Sequence, residues 1–395
     1  MKKWTITVAF LLAAVLLLAG CAAPADSGKE SGPVSGGQTE HTHKADFEYV
    51  TPEGSESDIN GYYVPLGVDC NVTVREKGGD VKVEDDHDNT MPKPDKKYKI
   101  GFSIYYTVDE VGAMYLYAME KAAKEAGVEL LINDANYEQD RQDTAIEQWI
   151  LEGVDGVIMT PCDFTGVKAS LDALYEAKIP VITIDAPPQL GDVDSMVIYD
   201  CVEQGRQAGE MLEQALLDKG TQMKGTIIYN TLPFEHPNAT TREIGFFSVF
   251  EKYPDIEIVK LTGISPEEHY TAFEGAIQAY PDMLGAWGLY SSATIGMMNA
   301  KIAAGRDDIL LTSVDNDKPI LAGIYNGEII GSSAYSAIAG SRWGMIQMIN
   351  MLNGVEIPGI LYQQNNKVTK DNVEEMFEHY YPGVKLKDYM AGEAQ

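Results

Sequence analysis

Basic residues, cysteine, histidine and tryptophan are all scarce in this chain. Lys and Arg number 30 against 60 Asp and Glu, a formal net charge of -30 over 395 residues. So acidic a surface repels nucleic acid and anionic lipid headgroups, which argues against nucleic-acid binding and against membrane attachment through surface charge. Three of the six histidines, His41, His43 and His87, fall near the N-terminus. No Gly-x-Ser-x-Gly elbow, phosphate-binding Gly-x-x-x-x-Gly-Lys-Ser/Thr loop, His-Glu-x-x-His pair or dinucleotide glycine fingerprint occurs. The chain therefore reads as no enzyme, with no cofactor and no metal. Of four cysteines, Cys21, Cys70, Cys162 and Cys201, none forms a CxxC pair. Cys162 and Cys201 follow strands that another strand separates, so they read as isolated thiols rather than as a disulfide. Beyond Leu18 no apolar run approaches the ~18 residues of a membrane span.

What is present begins at the N-terminus. Met1-Lys2-Lys3 precedes an apolar run from Ile6 to Leu18, and Leu18-Ala19-Gly20-Cys21 closes it. A charged start, a short apolar segment and small residues before a cysteine form a lipoprotein signal, in which Cys21 takes the lipid and begins the mature chain. The alternative, a transmembrane helix, needs ~20 apolar residues and finds fewer. Residues 22–45 are Ser, Gly, Glu, Thr and Pro with hardly an apolar side chain, so they read as a flexible tether. From Phe47 to Asp86 the sequence permits a small hairpin, Val72 and Val74 facing Val81 and Val83 across Lys77-Gly78-Gly79-Asp80. His41 and His43 and the run Glu84 to Asp88 have metal-binding side chains, but in polar stretches without fixed geometry, and read as solvated linker. Met91-Pro92-Lys93-Pro94 then breaks the chain.

From Lys99 onward short β-rich runs alternate with amphipathic helical patterns, the signature of parallel sheets covered by helices. Strands are expected over 99–105, 129–133, 156–160, 181–184 and 196–199, with helices near 112–126, 138–152, 165–177 and 202–217. A second series of strands follows at 226–229, 257–261, 286–289, 310–314 and 329–333. Apolar runs such as Val157-Ile158-Met159 fit strands buried on both faces.

Lys99-Ile100-Gly101-Phe102-Ser103-Ile104-Tyr105, the string from Glu152 to Pro161, and Ala177 to Asp185 resemble type I periplasmic sugar-binding proteins of the ribose-binding group. Arg242-Glu243-Ile244-Gly245-Phe246 and Ser313-Val314-Asp315-Asn316 follow in the same order, so the resemblance runs from about 98 to 365. It implies an α/β fold of the periplasmic binding protein type I: two doubly wound parallel-sheet lobes joined by a three-segment hinge, with crossings near 200–204, 334–337 and 362–366. The implied domains are signal peptide 1–21, tether and small extension 22–97, an N-terminal lobe of 98–202 plus 336–363, and a C-terminal lobe and tail of 203–335 plus 364–395.

In open parallel sheets the ligand crevice lies beyond the carboxyl ends of the strands. Asp185 and Asp315 end apolar strands there, each able to accept hydrogen bonds from vicinal hydroxyls or to cap the next helix. Arg242 offers a fork of donors near a helix start, and the resemblance points it into the cleft; the alternative is a surface ion pair with Glu235 or Glu243. Tyr105, Tyr106, Tyr290 and Tyr335 follow strands, where flat rings suit the C–H face of a sugar or serve as ordinary packing. Strand alternation lets only one of Tyr105 and Tyr106 point inward, while Trp287, inside its strand, reads as core. The chain departs from the ribose pattern at Val108-Asp109-Glu110-Val111, where Asn and Phe are usual, and at Ala186, where arginine is usual. Asp109 and Glu110 are candidates for a cationic ligand group or are solvated carboxylates at a helix start.

The expected function is an extracytoplasmic solute-binding lipoprotein of an ABC importer, anchored by lipid to the outer face of the cell membrane or periplasmic. It would be a monomer that binds a sugar or sugar-like small polar molecule and meets a membrane permease. The alternatives are a ligand-sensing subunit for a membrane kinase or chemoreceptor, or a receptor for a nucleoside or an amine.

Overall fold

A computed structural model describes residues 71–76, 78–83, 90–107, 110–233 and 236–392. The signal peptide with Cys21, the tether, His41 and His43, Cys70, the run 84–88, Asp109 and Glu235 lie outside them. In chain order the first strands and helices are β1 (Asn71–Val74), β2 (Asp80–Lys82), β3 (Lys99–Ile104), α1 (Glu110–Ala126), β4 (Glu129–Asp134), α2 (Gln139–Glu152), β5 (Gly156–Met159) and α3 (Lys168–Glu176). Then come β6 (Val181–Asp185), β7 (Leu190–Val193), β8 (Ser195–Tyr199), α4 (Cys201–Asp218), β9 (Gly225–Thr231), α5 (Pro237–Phe250), β10 (Ile256–Thr262), α6 (Pro266–Ala279) and β11 (Gly285–Gly288). The chain continues through α7 (Ser291–Ala303), β12 (Leu310–Val314), α8 (Lys318–Asn326), β13 (Gly331–Ala334), α9 (Ala337–Leu352), β14 (Ile360–Gln363), β15 (Asn366–Thr369), α10 (Val373–Tyr380) and α11 (Leu386–Met390).

Two large sheets result. One has seven parallel strands in the order β2-β14-β8-β6-β5-β3-β4, the other six in the order β10-β9-β11-β12-β13-β15. Strands β5 and β8 are buried at every residue because helices cover both faces, which is why their sequences run apolar without alternation. Strands β4-β3-β5-β6-β8 of one sheet and β10-β9-β11-β12-β13 of the other share one winding, so β6 of the first lobe and β12 of the second are equivalent fourth strands.

The chain passes between lobes at Tyr199–Cys201, Ala334–Ala337 and Gln363–Asn366. At the first passage α4 leaves β8 to pack on β12 and β13, and at the second α9 leaves β13 to pack on α1, β5 and β6. Each lobe is thus finished by a helix that starts at the border.

The expected hairpin does not form. Strand β1 pairs in parallel with β7, and β2 pairs in parallel with β14. Val83 N–H continues this ladder to Tyr362 O at 2.9 Å. Partners with open edges on the folded body outcompete a local turn, so β1 and β2 each dock on the first lobe. The sheets also depart from uniform parallel pairing at β15, which runs antiparallel to β13.

Candidate functional site

The two fourth strands each end in an aspartate with its backbone in the left-handed region, Asp185 at φ 72° and Asp315 at φ 77°. Such a conformation is costly for a residue with a side chain, and its repetition at equivalent strand ends marks the crevice between the lobes. Both aspartates are buried, at 6% exposure.

Their surroundings differ. Asp315 Oδ1 accepts from Arg242 Nη2 at 3.2 Å, and its Oδ2 accepts from the Ser291 N–H at 2.9 Å and hydroxyl at 3.3 Å. It therefore caps α7 and pairs with a buried arginine. Burial opposes the charge on Arg242, but Asp315 together with Tyr199, Cys201 and Tyr335 outweighs it, and the pKa is raised well above the ordinary value. Arg242 also donates through Nε to Gln204 Oε1 at 2.9 Å and through Nη1 to Leu289 O at 3.2 Å. Asp185 instead accepts two phenol hydroxyls on Oδ1, from Tyr199 at 2.8 Å and Tyr115 at 3.1 Å. Burial pushes its carboxyl up to about 6, with the two phenols and Arg242 pulling the other way.

Two tyrosines at the lobe border complete the centre. Tyr199, at the first passage, stacks on Tyr335, at the second, with ring centroids 3.8 Å apart. Arg242 lies 5.8 Å over the Tyr199 ring, and Asn238 Nδ2 on α5 donates to the Tyr199 hydroxyl at 3.1 Å. A hydrogen-bond path thus runs from Asp185 in one lobe to Asn238 in the other. Beside it lie buried amides without partners: Gln204 Nε2, and both Nε2 and Oε1 of Gln363. Polar atoms so placed are costly unless water or a ligand meets them.

Residues 100–356 match a family model described as periplasmic binding protein domain. The chain is a type I periplasmic binding protein. It is 24% identical over 240 residues to the ribose import binding protein of Bacillus subtilis (strain 168), covering 60% of this chain and 76% of that protein. A xylitol-binding protein of Mycolicibacterium smegmatis is 24% identical over 264 residues, covering 66% of this chain and 74% of its own. The binding protein of the arabinose ABC transporter from Shewanella sp. ANA-3, solved with L-arabinofuranose, superposes with a TM-score of 0.64 at 25% identity, covering 75% of this chain and 97% of that one.

Within this periplasmic binding protein, Asp185, Arg242, Asp315 and Tyr335 come together at the lobe border. Arg242 makes no surface pair: Glu243 faces Lys260 at 3.7 Å instead. Of the other expected residues, Tyr105 lies near Tyr115 and Tyr335 of the centre, and Glu110 and Tyr290 are engaged away from it. Glu110 Oε1 meets Lys318 Nζ at 2.9 Å and its Oε2 accepts the Lys318 N–H at 3.0 Å, so its carboxylate links α1 of one lobe to α8 of the other. Tyr290 directs its hydroxyl to His269 Nε2 at 2.6 Å and Gly263 O at 3.1 Å, bracing the loop after β10. Tyr105 and Tyr106 both reach the Tyr137 ring, at 5.3 and 4.8 Å. Alternation does not separate them because β3 ends at Ile104 and both lie past the strand.

Sequence reasoning missed Tyr115, Tyr199, Gln204, Asn238 and Gln363. Tyr199 and Gln363 were findable, since both adjoin lobe crossings that the family pattern fixes. Tyr115 was not, because with Val111 and Met119 it forms an apolar helical stripe that reads as core.

Proposed function

We propose that this protein is the extracytoplasmic solute receptor of an ABC importer, held at the membrane by a lipid on Cys21, and that it closes on a polyhydroxy ligand between its lobes. The observation that carries this reading is the convergence of charged, amide and aromatic groups from both lobes on one buried centre. Asp185 supplies an acceptor, Arg242 the nitrogen–hydrogen bonds its protein partners leave over, Gln204 and Gln363 unpartnered amides, and Tyr335 a ring face. A hydroxyl both donates and accepts, so a polyol satisfies such a mixed set. Relatives named for ribose and xylitol, and a solved relative holding arabinofuranose, support the same class of ligand. A ligand that touches both lobes favours the closed arrangement, since only differential affinity shifts a hinge.

A thermal-shift screen against monosaccharides, sugar alcohols and cyclitols tests the reading. A true ligand at ~100 times its Kd adds about 2.7 kcal/mol of stability and raises Tm visibly. No response from any polyhydroxy compound would overturn the assignment. For the anchor, Cys21→Ala should move the protein from the membrane fraction to the soluble fraction.

A further inference from the structure

The cleft holds two carboxylates and one guanidinium, and the guanidinium is committed. Arg242 and Asp315 form a self-contained pair, with both Asp315 oxygens and all three Arg242 nitrogens engaged by protein groups. Asp185 has only neutral donors. The phenol pKa values of Tyr115 and Tyr199 are raised well above the ordinary one, chiefly by burial, so these groups bring no countercharge. Both phenols sit on Oδ1, and Oδ2 accepts no hydrogen bond among the described residues. The next residue is the buried Ala186. The Asp185 carboxylate therefore has no positive partner in contact, Arg242 acting on it only from a distance; a buried charge so placed takes up a proton or meets an opposite charge, and a cationic ligand would supply that charge.

The remaining unpartnered groups around it ask for hydroxyls. Gln363 is 1% exposed and needs both a donor for Oε1 and an acceptor for Nε2. It shares a wall with Tyr115: a Cβ at Gly340 would lie 3.0 Å from both Gln363 Nε2 and Tyr115 Cε1. Gln204 Nε2 needs a further acceptor. An anionic solute would face Asp185 at close range, and a neutral polyol would satisfy the amides while leaving the charge.

Resting on the solute-receptor reading above, we infer that the ligand is an aminated polyol, its ammonium set against Asp185 Oδ2 and its hydroxyls against Gln363 and Gln204. The stacked rings of Tyr199 and Tyr335 supply the aromatic face that a cation or the adjoining C–H bonds pack on. The groups that face Asp185 are Tyr115 from α1, Tyr199 from β8, Arg242 from α5, Asp315 at the end of β12 and Tyr335 after β13. The Asp185 carboxyl, lying at about 6, changes charge near neutral pH.

Calorimetry on the full-length protein in detergent tests this with matched probes: glucose and glucosamine, sorbitol and 1-amino-1-deoxysorbitol, an inositol and its aminodeoxy analogue. In at least one pair the amino member should bind about 10- to 100-fold tighter at about pH 7, the range of a hydrogen bond to a charged group. That lead should shrink toward about pH 5 as Asp185 takes up its proton while the amines stay protonated. Asp185→Asn, which tolerates the left-handed backbone, should erase the lead, bringing the amino member of each pair to the affinity of its neutral partner. Neutral members binding as tightly as their amino partners, with no pH dependence, would overturn the ammonium assignment and leave the solute-receptor reading standing. Binding by no member of any pair would overturn both. The wild-type pH profile decides the matter even if the variant fails to fold.

Discussion

Asp185 and Asp315 occupy equivalent strand ends with the same backbone, and their different partners give them different chemistry. Asp185 has a folded pKa of about 6 against an ordinary 3.8. Between those values the folded state holds a proton that the unfolded chain releases, so this group's contribution to stability falls as pH rises from about 4 to about 6. Urea unfolding of wild type and Asp185→Asn across that window should show the wild type gaining on the variant as pH drops, by up to about 3 kcal/mol. Parallel profiles would mean that Asp185 keeps an ordinary pKa. Asp315 belongs to a buried pair instead. Arg242→Met strands its carboxylate beside Ser291 and should cost about 3–5 kcal/mol, while adding Asp315→Asn to the same chain should restore part of the loss. If the double variant were less stable than the single one, the pair would not be the reason Arg242 matters. The two aspartates were legible in the sequence, because a charged side chain that ends an apolar strand has few places to go, and Arg242 was legible through the family pattern around it. Their roles were not: which aspartate the arginine joins depends on α4 and α5 crossing closely enough to bury it.

That crossing is set by glycine. A Cβ on Gly205 of α4 would stand 1.8 Å from Arg242 O, and one on Gly245 of α5 would stand 1.9 Å from Val202 O. Only hydrogen fits at either point, so the helix axes approach until backbone meets backbone. Gly245→Ala should push α5 outward, lower stability by about 1–3 kcal/mol, and weaken ligand binding at the same time because Arg242 rides on that helix. Gly275→Ala on α6 meets nothing within 4 Å; it should leave binding unchanged and add up to about 1 kcal/mol of stability through helix propensity. Thermal melts and a titration of each variant check this, and equal effects from the two would remove the special place of the crossing. The inner strands β3, β5, β6, β8, β9, β11 and β12 were readable because burial on both faces writes an apolar run. The short strands β7, β14 and β15 were not, since four residues carry too little pattern, whereas β1 and β2 were read as strands but take their pairing from distant chain. Val72 and Val81 show the consequence, for each has strand character and neither pairs with the other.

At the scale of the whole molecule, the two lobes meet through three chain passages and through side chains that cross between them. The Asp185–Tyr199–Asn238 path holds the centre, and Glu110 with Lys318 holds the rim. Lys318 also packs on the Tyr381 ring, 5.0 Å from its centroid, which fixes the ammonium for Glu110. Because Glu110 bonds both the side chain and the backbone N–H of Lys318, opening the hinge breaks two contacts at once. The sequence left Glu110 as a contact for a cationic group of the ligand or as a solvated carboxylate at a helix start, and the structure pairs it instead with Lys318 of the other lobe; no reading of local sequence shows that α8 begins opposite α1. Side chains 25% and 19% exposed give such a pair up to about 1 kcal/mol, which corresponds to about a fivefold change in a closing equilibrium. Glu110→Gln should therefore enlarge the radius of gyration of the ligand-free protein in small-angle scattering and weaken ligand binding by up to about fivefold. Wild-type affinity should fall with added salt, since screening reaches a partly exposed pair, and the variant's affinity should not. Identical scattering and identical salt dependence in the two proteins would leave closure to the ligand and the central residues alone.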